Sequence, residues 1–226
     1  MGAKKWDEKN DSLIVSYVTL RRLIGVLGMM LPLICVAGGA LFAGTSFQRS
    51  ISYYYYTNMR DFLVGLLVAV SMFFITYRGY ERKDGIVTWI IGLAGLGLAF
   101  FPIRSAVNPD TPAGLFQMDP AVASGIHIAS AGVFFFFLAF NSIFLFTLSG
   151  DKKTPMTRNK KIRNRIHRIC GGLILASLTT FAALWLILGK TGMNQSRWVL
   201  LLQSIMLLAF GVSWLVKGET LFRDEK

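Results

Sequence analysis

His127 and His167 are the only histidines in this 226-residue chain, and His127 is the one surrounded by other groups suited to chemistry. Upstream of it, the segment TSFQRSISYYYYTNMRD (45–61) carries Tyr53, Tyr55, Arg60 and Asp61. Arg104 follows Phe101-Pro102, and the stretch SAVNPDTPAGLFQMDP (105–120) adds Asp110 and Asp119. Arginine forks match phosphate oxygens, and tyrosines line headgroup or sugar sites. Tyr53, Tyr55, Arg60, Asp61, Arg104, Asp119 and His127 are therefore the candidate ligand-binding residues. A histidine oriented by a carboxylate can also act as a general base. His127, with Asp61 or Asp119 orienting it, supplies the catalytic candidates. Neighbours on a helix point about 100° apart, so Arg60 and Asp61 should find separate partners. The expected pairs are Asp61 with Arg104, and Arg60 with Asp119 or Asp110. The plainer role for such pairs is to lock helix ends together. At least two of the four tyrosines from Tyr53 to Tyr56 are expected in an interfacial belt, where an apolar ring and a wet hydroxyl are both accommodated.

Metal and cofactor chemistry finds little support. The two cysteines, Cys35 and Cys170, form no C-x-x-C pair and read as small packing residues. The two histidines fall toward opposite faces of the expected topology, which excludes a two- or three-histidine metal site. No metal and no cofactor is expected. The net charge of +12 raises the question of nucleic acid. Its densest source, DKKTPMTRNKKIRNRIHR (151–168), has no aromatic residue on which a base could stack. Attraction of residues 152–168 to anionic inner-leaflet lipid, about 1 kcal/mol per basic residue near the surface, is the expected role, and no nucleic acid partner is expected. His167, in that stretch, reads as a solvated or headgroup residue.

The elements that must carry these residues are set by where charge is missing. Charged residues make up 16% of the chain, against about 25% in an average soluble domain, and the mean hydropathy is +0.52. About 20 apolar residues at 1.5 Å each cross a bilayer core. Six segments suit this length or nearly do: 23–44, 62–77, 86–103, 121–148, 169–189 and 198–216. Their apolar runs are continuous, not alternating, so they predict helices and not a barrel. The expected fold is all-α, a polytopic bundle of six spans, with 1–22 a cytoplasmic segment, 23–217 the membrane domain and 218–226 a cytoplasmic tail. The first apolar segment is longer than a signal-peptide core. Residues 12–20 predict a short amphipathic helix on the membrane surface, or else an extension of the first span. Pro32 should kink that span or mark a local break.

With both termini cytoplasmic, 19 of the 24 Lys and Arg residues fall on the inner side and five on the outer. That bias supports the span count and the orientation together, and it points to a bacterial inner membrane. The tyrosines, Arg60, Arg104, Asp110 and Asp119 then share the outer side. Within the fourth span Ser124, His127, Ala131, Phe134, Leu138 and Asn141 recur at helical spacing, so this face should look into the bundle. Gly92, Gly95 and Gly97, with Gly38, Gly39 and Gly44, permit close helix contact without saying whether the partner helix belongs to the same chain. The proline-rich 105–120 stretch is expected to act as a lid or mobile segment, with Phe116 and Met118 near the bundle mouth. No acidic residue lies at mid-membrane, which counts against a proton-coupled pump.

Several motifs carry a resemblance: Ser50 to Asp61 entering the second span, Phe101-Pro102 closing the third, His127 to Phe137 opening the fourth, and Arg165 to Gly171. Over most of residues 20–217 the chain resembles uncharacterised bacterial six-helix membrane proteins similar to the Frag/DRAM/Sfk-like group. That resemblance implies lipid handling or membrane organisation. A more distant similarity is to ceramidase-like hydrolases of the CREST superfamily. Of their serine, aspartate and three metal-binding histidines, this chain offers Ser52, Asp61 and His127. Three functions follow as expectations: a protein binding a lipid headgroup, small ligand or membrane partner in an outward-facing polar cleft; a lipid- or glycolipid-modifying enzyme; or an oligomeric pore. A homo-oligomer or a membrane-protein partner fits any of the three.

Overall fold

The computed structural model describes residues 2–42, 44–45, 47–77, 82–148, 156–218 and 220, with backbone alone for 2–17, 82–83 and 190–195. Every regular element among them is helical. Helix α1 (Gly2–Leu33) runs without interruption through Arg21 and Arg22, so the backbone shows no separate surface helix at 12–20. Pro32 cannot donate into the ladder, and just beyond it the helix widens into a π-turn (Ile34–Gly38) before a last turn, Gly39–Phe42. The expected break at Pro32 is thus present as a change of helical pitch. After a short 3-10 helix (Ile51–Tyr56) come α2 (Arg60–Thr76), α3 (Arg82–Phe100) and α4 (Pro120–Phe140, continued by a π-turn, Asn141–Leu145). The last two are α5 (Arg158–Gln195) and α6 (Trp198–Lys217).

Each of the six expected segments maps onto one of these helices. Four are long and apolar enough to cross a membrane: Val18–Phe42, Pro120–Leu145, Arg158–Gly189 and Trp198–Lys217; Asp84–Phe100 is apolar but shorter. The fifth begins eleven residues earlier than expected, because the basic residues from Arg158 to Arg168 are helical and continuous with the apolar run. Starting the fifth segment only at 169 was the wrong expectation: lysine and arginine are good helix formers, and nothing in 158–168 breaks a helix. Residues 151–155 of the basic stretch lie outside the described residues. At Gly189 the backbone turns to φ +61°, which only glycine adopts cheaply, and the straight part of α5 ends there.

Consecutive helices pack on one another, and α1 packs against both α6 and α2, which closes the six into a ring. Its middle is aromatic. Trp214 is fully buried, with the rings of Phe74, Tyr77 and Phe146 at 5.0–5.3 Å between centroids in edge-to-face arrangement. Leu186 and Ile187 on α5 are largely exposed, as residues facing lipid would be. Gly92, Gly95 and Gly97 of α3 pack within this chain: a Cβ on Gly95 would collide with the Ser71 hydroxyl of α2 and lie 3.2 Å from the Phe134 ring of α4.

Candidate functional site

At the end of the ring that carries the tyrosines, the segment from Arg49 to Tyr56 lies across the helices. The Leu200 amide donates to the Arg49 carbonyl (3.0 Å), and the Ile51 amide donates to Gln203 Oε1 (2.7 Å), so the first turns of α6 hold the segment down. Ser50 caps the 3-10 helix by accepting from the Tyr53 amide. A 3-10 helix has three residues per turn, so side chains three apart eclipse. That geometry divides the tyrosine run. Ile51 and Tyr54 share a row, with Tyr54 buried against Gly39, where a Cβ would come within 2.9 Å of its ring. Ser52 and Tyr55 share a second row, and both line a cavity that Ile51 also reaches. Tyr53 and Tyr56 share the third; Tyr56 is exposed and donates its hydroxyl proton to the Ile103 carbonyl (2.6 Å). Burial raises the hydroxyl pKa values of Tyr53, Tyr54 and Tyr56 above the ordinary tyrosine value, with Arg49 offsetting part of the effect at Tyr53. All three remain neutral donors near pH 7.

The cavity has a volume of about 50 Å³. Its walls are mainly apolar, with Leu31 from α1, Leu63 and Leu67 from α2, Leu98 from α3, Phe134 from α4 and Leu207 from α6. Its polar lining comes from Ser52, Tyr55, His127 and Gln203. His127 is 7% exposed, and it lies on the α4 face that the sequence spacing predicts to be buried; Phe134, Leu138 and Asn141 on that face are buried too.

Both imidazole nitrogens of His127 have partners. Nδ1 lies 2.7 Å from the Phe101 carbonyl oxygen, and Nε2 lies 2.9 Å from Ser52 Oγ. A carbonyl only accepts, so Nδ1 carries the proton and donates it. In the neutral ring Nε2 then accepts from the Ser52 hydroxyl. The Phe101 carbonyl is available because Pro102 ends α3, leaving the last carbonyls of the helix without partners from a further turn. Gly114 packs against this helix end at φ +90°, where a Cβ would come within 2.8 Å of Pro102.

The structure gives the other candidates different work. Arg104 pairs with Asp110 and donates to the Pro109 carbonyl (2.8 Å), not to Asp61. Asp110 is only six residues away on the same loop, so this closure costs little chain entropy. Arg60 donates to the Tyr55 hydroxyl (2.9 Å) and lies over the Tyr55 ring, 4.5 Å from its centroid, in place of an aspartate partner. Asp119 caps α4, accepting from the amides of Ala121 (2.9 Å) and Val122 (3.1 Å) ahead of Pro120 at the first helical position. Asp61 is exposed in the first turn of α2 and makes no ion pair among the described residues. Neither aspartate orients His127, because the Phe101 carbonyl occupies Nδ1. Of the sequence candidates, His127 and Tyr55 reach the cavity, and Arg60 steadies Tyr55. Phe116 stacks on Phe101 (5.1 Å), but neither Phe116 nor Met118 lines the cavity. Gln203 is not among the candidate residues the sequence singles out for the site, and Ser52 enters only through the resemblance to hydrolases.

The opposite end holds a second polar cluster. His167 is 2% exposed, which corrects its expected solvated position: helix α5 begins before it and turns it inward. Its Nδ1 lies 2.9 Å from Ser213 Oγ, which in turn donates to Ser142 Oγ (3.0 Å). Nearby, Arg21 is buried and donates to the Tyr77 hydroxyl (3.1 Å). On the outside of α5 an open groove is lined by Met156, Lys161, Asn164, Arg165, Arg168 and Ile169. Among the described residues no group of three or more His, Cys, Asp or Glu side chains is placed to hold a metal.

Comparison with protein-family models, curated proteins and solved structures finds no match. The geometry therefore carries the functional argument alone.

Proposed function

We propose that this protein is a six-span membrane protein that binds a lipid, taking part of its apolar chain into the cavity at the tyrosine end with the polar region against Ser52, Tyr55, His127 and Gln203. The observation that carries the reading is that cavity: apolar walls from five helices, with polar groups converging on it from the 3-10 helix, α4 and α6. Small-molecule sites share this composition, apolar lining with a few placed polar groups, at about 300–1,000 Å³; this cavity, at about 50 Å³, takes only a short part of a chain. Four helices have full spanning length. Helix α2, at 17 residues and about 26 Å, and α3, at 19, complete the ring alongside them. The distribution of Lys and Arg supports cytoplasmic termini, an inner-membrane location and an outward-facing tyrosine end. In that orientation the groove at Lys161, Arg165 and Arg168 meets the anionic inner leaflet, which favours such basic side chains.

This assigns the headgroup arginines a smaller part than sequence suggests, since Arg104 is occupied by its own loop. The test is native mass spectrometry of the protein purified in mild detergent. Wild type is expected to retain lipid, and Arg104→Ala should retain it equally. Ala131→Phe, which fills the cavity from α4, should lose it while melting within a few degrees of wild type. Equal retention by Ala131→Phe, or loss in Arg104→Ala, would refute the reading.

A further inference from the structure

We propose that Ser52 and His127 form a nucleophile–base pair, and that the protein transfers the acyl group of a lipid ester to water through an acyl-Ser52 intermediate. The inference rests on the lipid-binding reading above, since the cavity that takes the chain is the one the two residues line. Three observations carry it. The Ser52 hydroxyl lies 2.9 Å from His127 Nε2, within reach for proton transfer. The Phe101 carbonyl accepts a hydrogen bond from Nδ1–H at 2.7 Å, which fixes the tautomer so that the free lone pair of Nε2 faces the serine. A third group that orients the base is what activated serines require, and here a backbone carbonyl does it.

The third observation is Gln203. Its Oε1 accepts from the Ile51 amide, one residue before Ser52, which assigns the amide orientation. Its Nε2 has no partner among the described residues, and the side chain lines the cavity. Gln203 thus bonds the residue next to Ser52 and lines the same cavity, and an amide N–H donor there suits the negative oxygen of a tetrahedral intermediate.

The step balances with water as co-reactant. Ser52 Oγ attacks the ester carbonyl carbon while its proton passes to His127 Nε2. The tetrahedral intermediate collapses, the carbon–alkoxide bond breaks, and the alcohol leaves with the proton from Nε2. Water then attacks acyl-Ser52, again giving its proton to Nε2. This second tetrahedral intermediate collapses with cleavage of the acyl–Oγ bond, Ser52 Oγ takes the proton back from Nε2, and the carboxylic acid is released.

The experiment exposes the full-length protein, in detergent micelles, to a long-chain alkyl fluorophosphonate, with intact mass and peptide mapping as the readout. Wild type is expected to gain one adduct, on the peptide containing Ser52. Ser52→Ala should gain none, and His127→Asn should label at least about 100-fold more slowly. Mapping on wild type needs no variant to fold. If Ser52 remains unmodified after exhaustive exposure, or the adduct maps elsewhere, the nucleophile assignment is overturned. Lipid retained by an unlabelled wild type would sink catalysis and leave the binding reading standing. Labelling of Ser52 in a protein that retains no lipid would instead count against the binding reading.

Discussion

Replacing His127 by alanine removes two hydrogen bonds at once, and the structure says they are unequal in consequence. Loss of the Ser52 bond frees a hydroxyl that lines a cavity, whereas loss of the Phe101 bond strands a carbonyl at the end of α3. Hydrogen bonds between membrane helices average about 0.6 kcal/mol each, so the two together contribute about 1.2. The Phe101 carbonyl is partly buried, so leaving it without a donor adds part of the about 1–3 kcal/mol that a fully buried group would cost, some of which the first sum already counts, and the deleted ring leaves a void. The total for His127→Ala is about 2–4 kcal/mol. Ser52→Ala should cost only about 0.6, and the coupling between the two in a double-mutant cycle should be of the same size. Reversible unfolding in mixed micelles measures all three. A His127→Ala penalty no larger than that of Ser52→Ala would mean that the Phe101 carbonyl does not hold the ring. A coupling of zero would mean that Ser52 and His127 do not meet. Either result removes the basis for the site.

Two further tests bear on the bundle and its orientation. Gly95→Leu places a side chain against Ser71 and Phe134 and should destabilise by more than the 1–3 kcal/mol of an ordinary overpacked position; Gly65→Ala, with open space around it, should be neutral or stabilising by up to about 1 kcal/mol, both read by melting in detergent. In a chain lacking Cys35 and Cys170, a cysteine at Val107 should react with an impermeant thiol reagent in intact cells, and one at Lys161 only after lysis. Labelling of both before lysis would overturn the orientation.

How much of this is legible in sequence depends on the range of the interaction. The helices are legible because lipid forces backbone hydrogen bonds inside each segment, so local composition decides. The inward face of α4 is legible because Ser124, His127, Phe134 and Asn141 repeat at helical spacing. Which tyrosine of the run faces inward is settled only by the 3-10 geometry of the segment. The Ser52–His127 bond joins residues 75 apart, and Phe101 enters through its carbonyl, a group every residue has. No residue type announces that contact. The aspartates misled for the opposite reason: their side chains advertise charge, yet Asp119 and Asp110 serve a helix start and a loop closure within a few residues of themselves.

The two histidines provide the sharpest internal comparison. Each is buried, each bonds a serine hydroxyl, and each sits toward one end of the same ring. His167 is sealed: its ring packs edge-on to Phe146 at 5.1 Å, its serine passes the bond on to Ser142, and it lines neither the internal cavity nor the groove on α5. A hydrogen-bonded histidine enclosed in this way ties helices together and has no room for a reacting atom. His127 differs in two respects: both its nitrogens are bonded, Nδ1 to the Phe101 carbonyl and Nε2 to Ser52, and its serine lines a cavity with mainly apolar walls that Gln203 also lines. Burial and a serine partner alone would give both residues the same role. Space for a substrate separates them, which is why filling the cavity should abolish function at the tyrosine end while leaving the His167 cluster untouched.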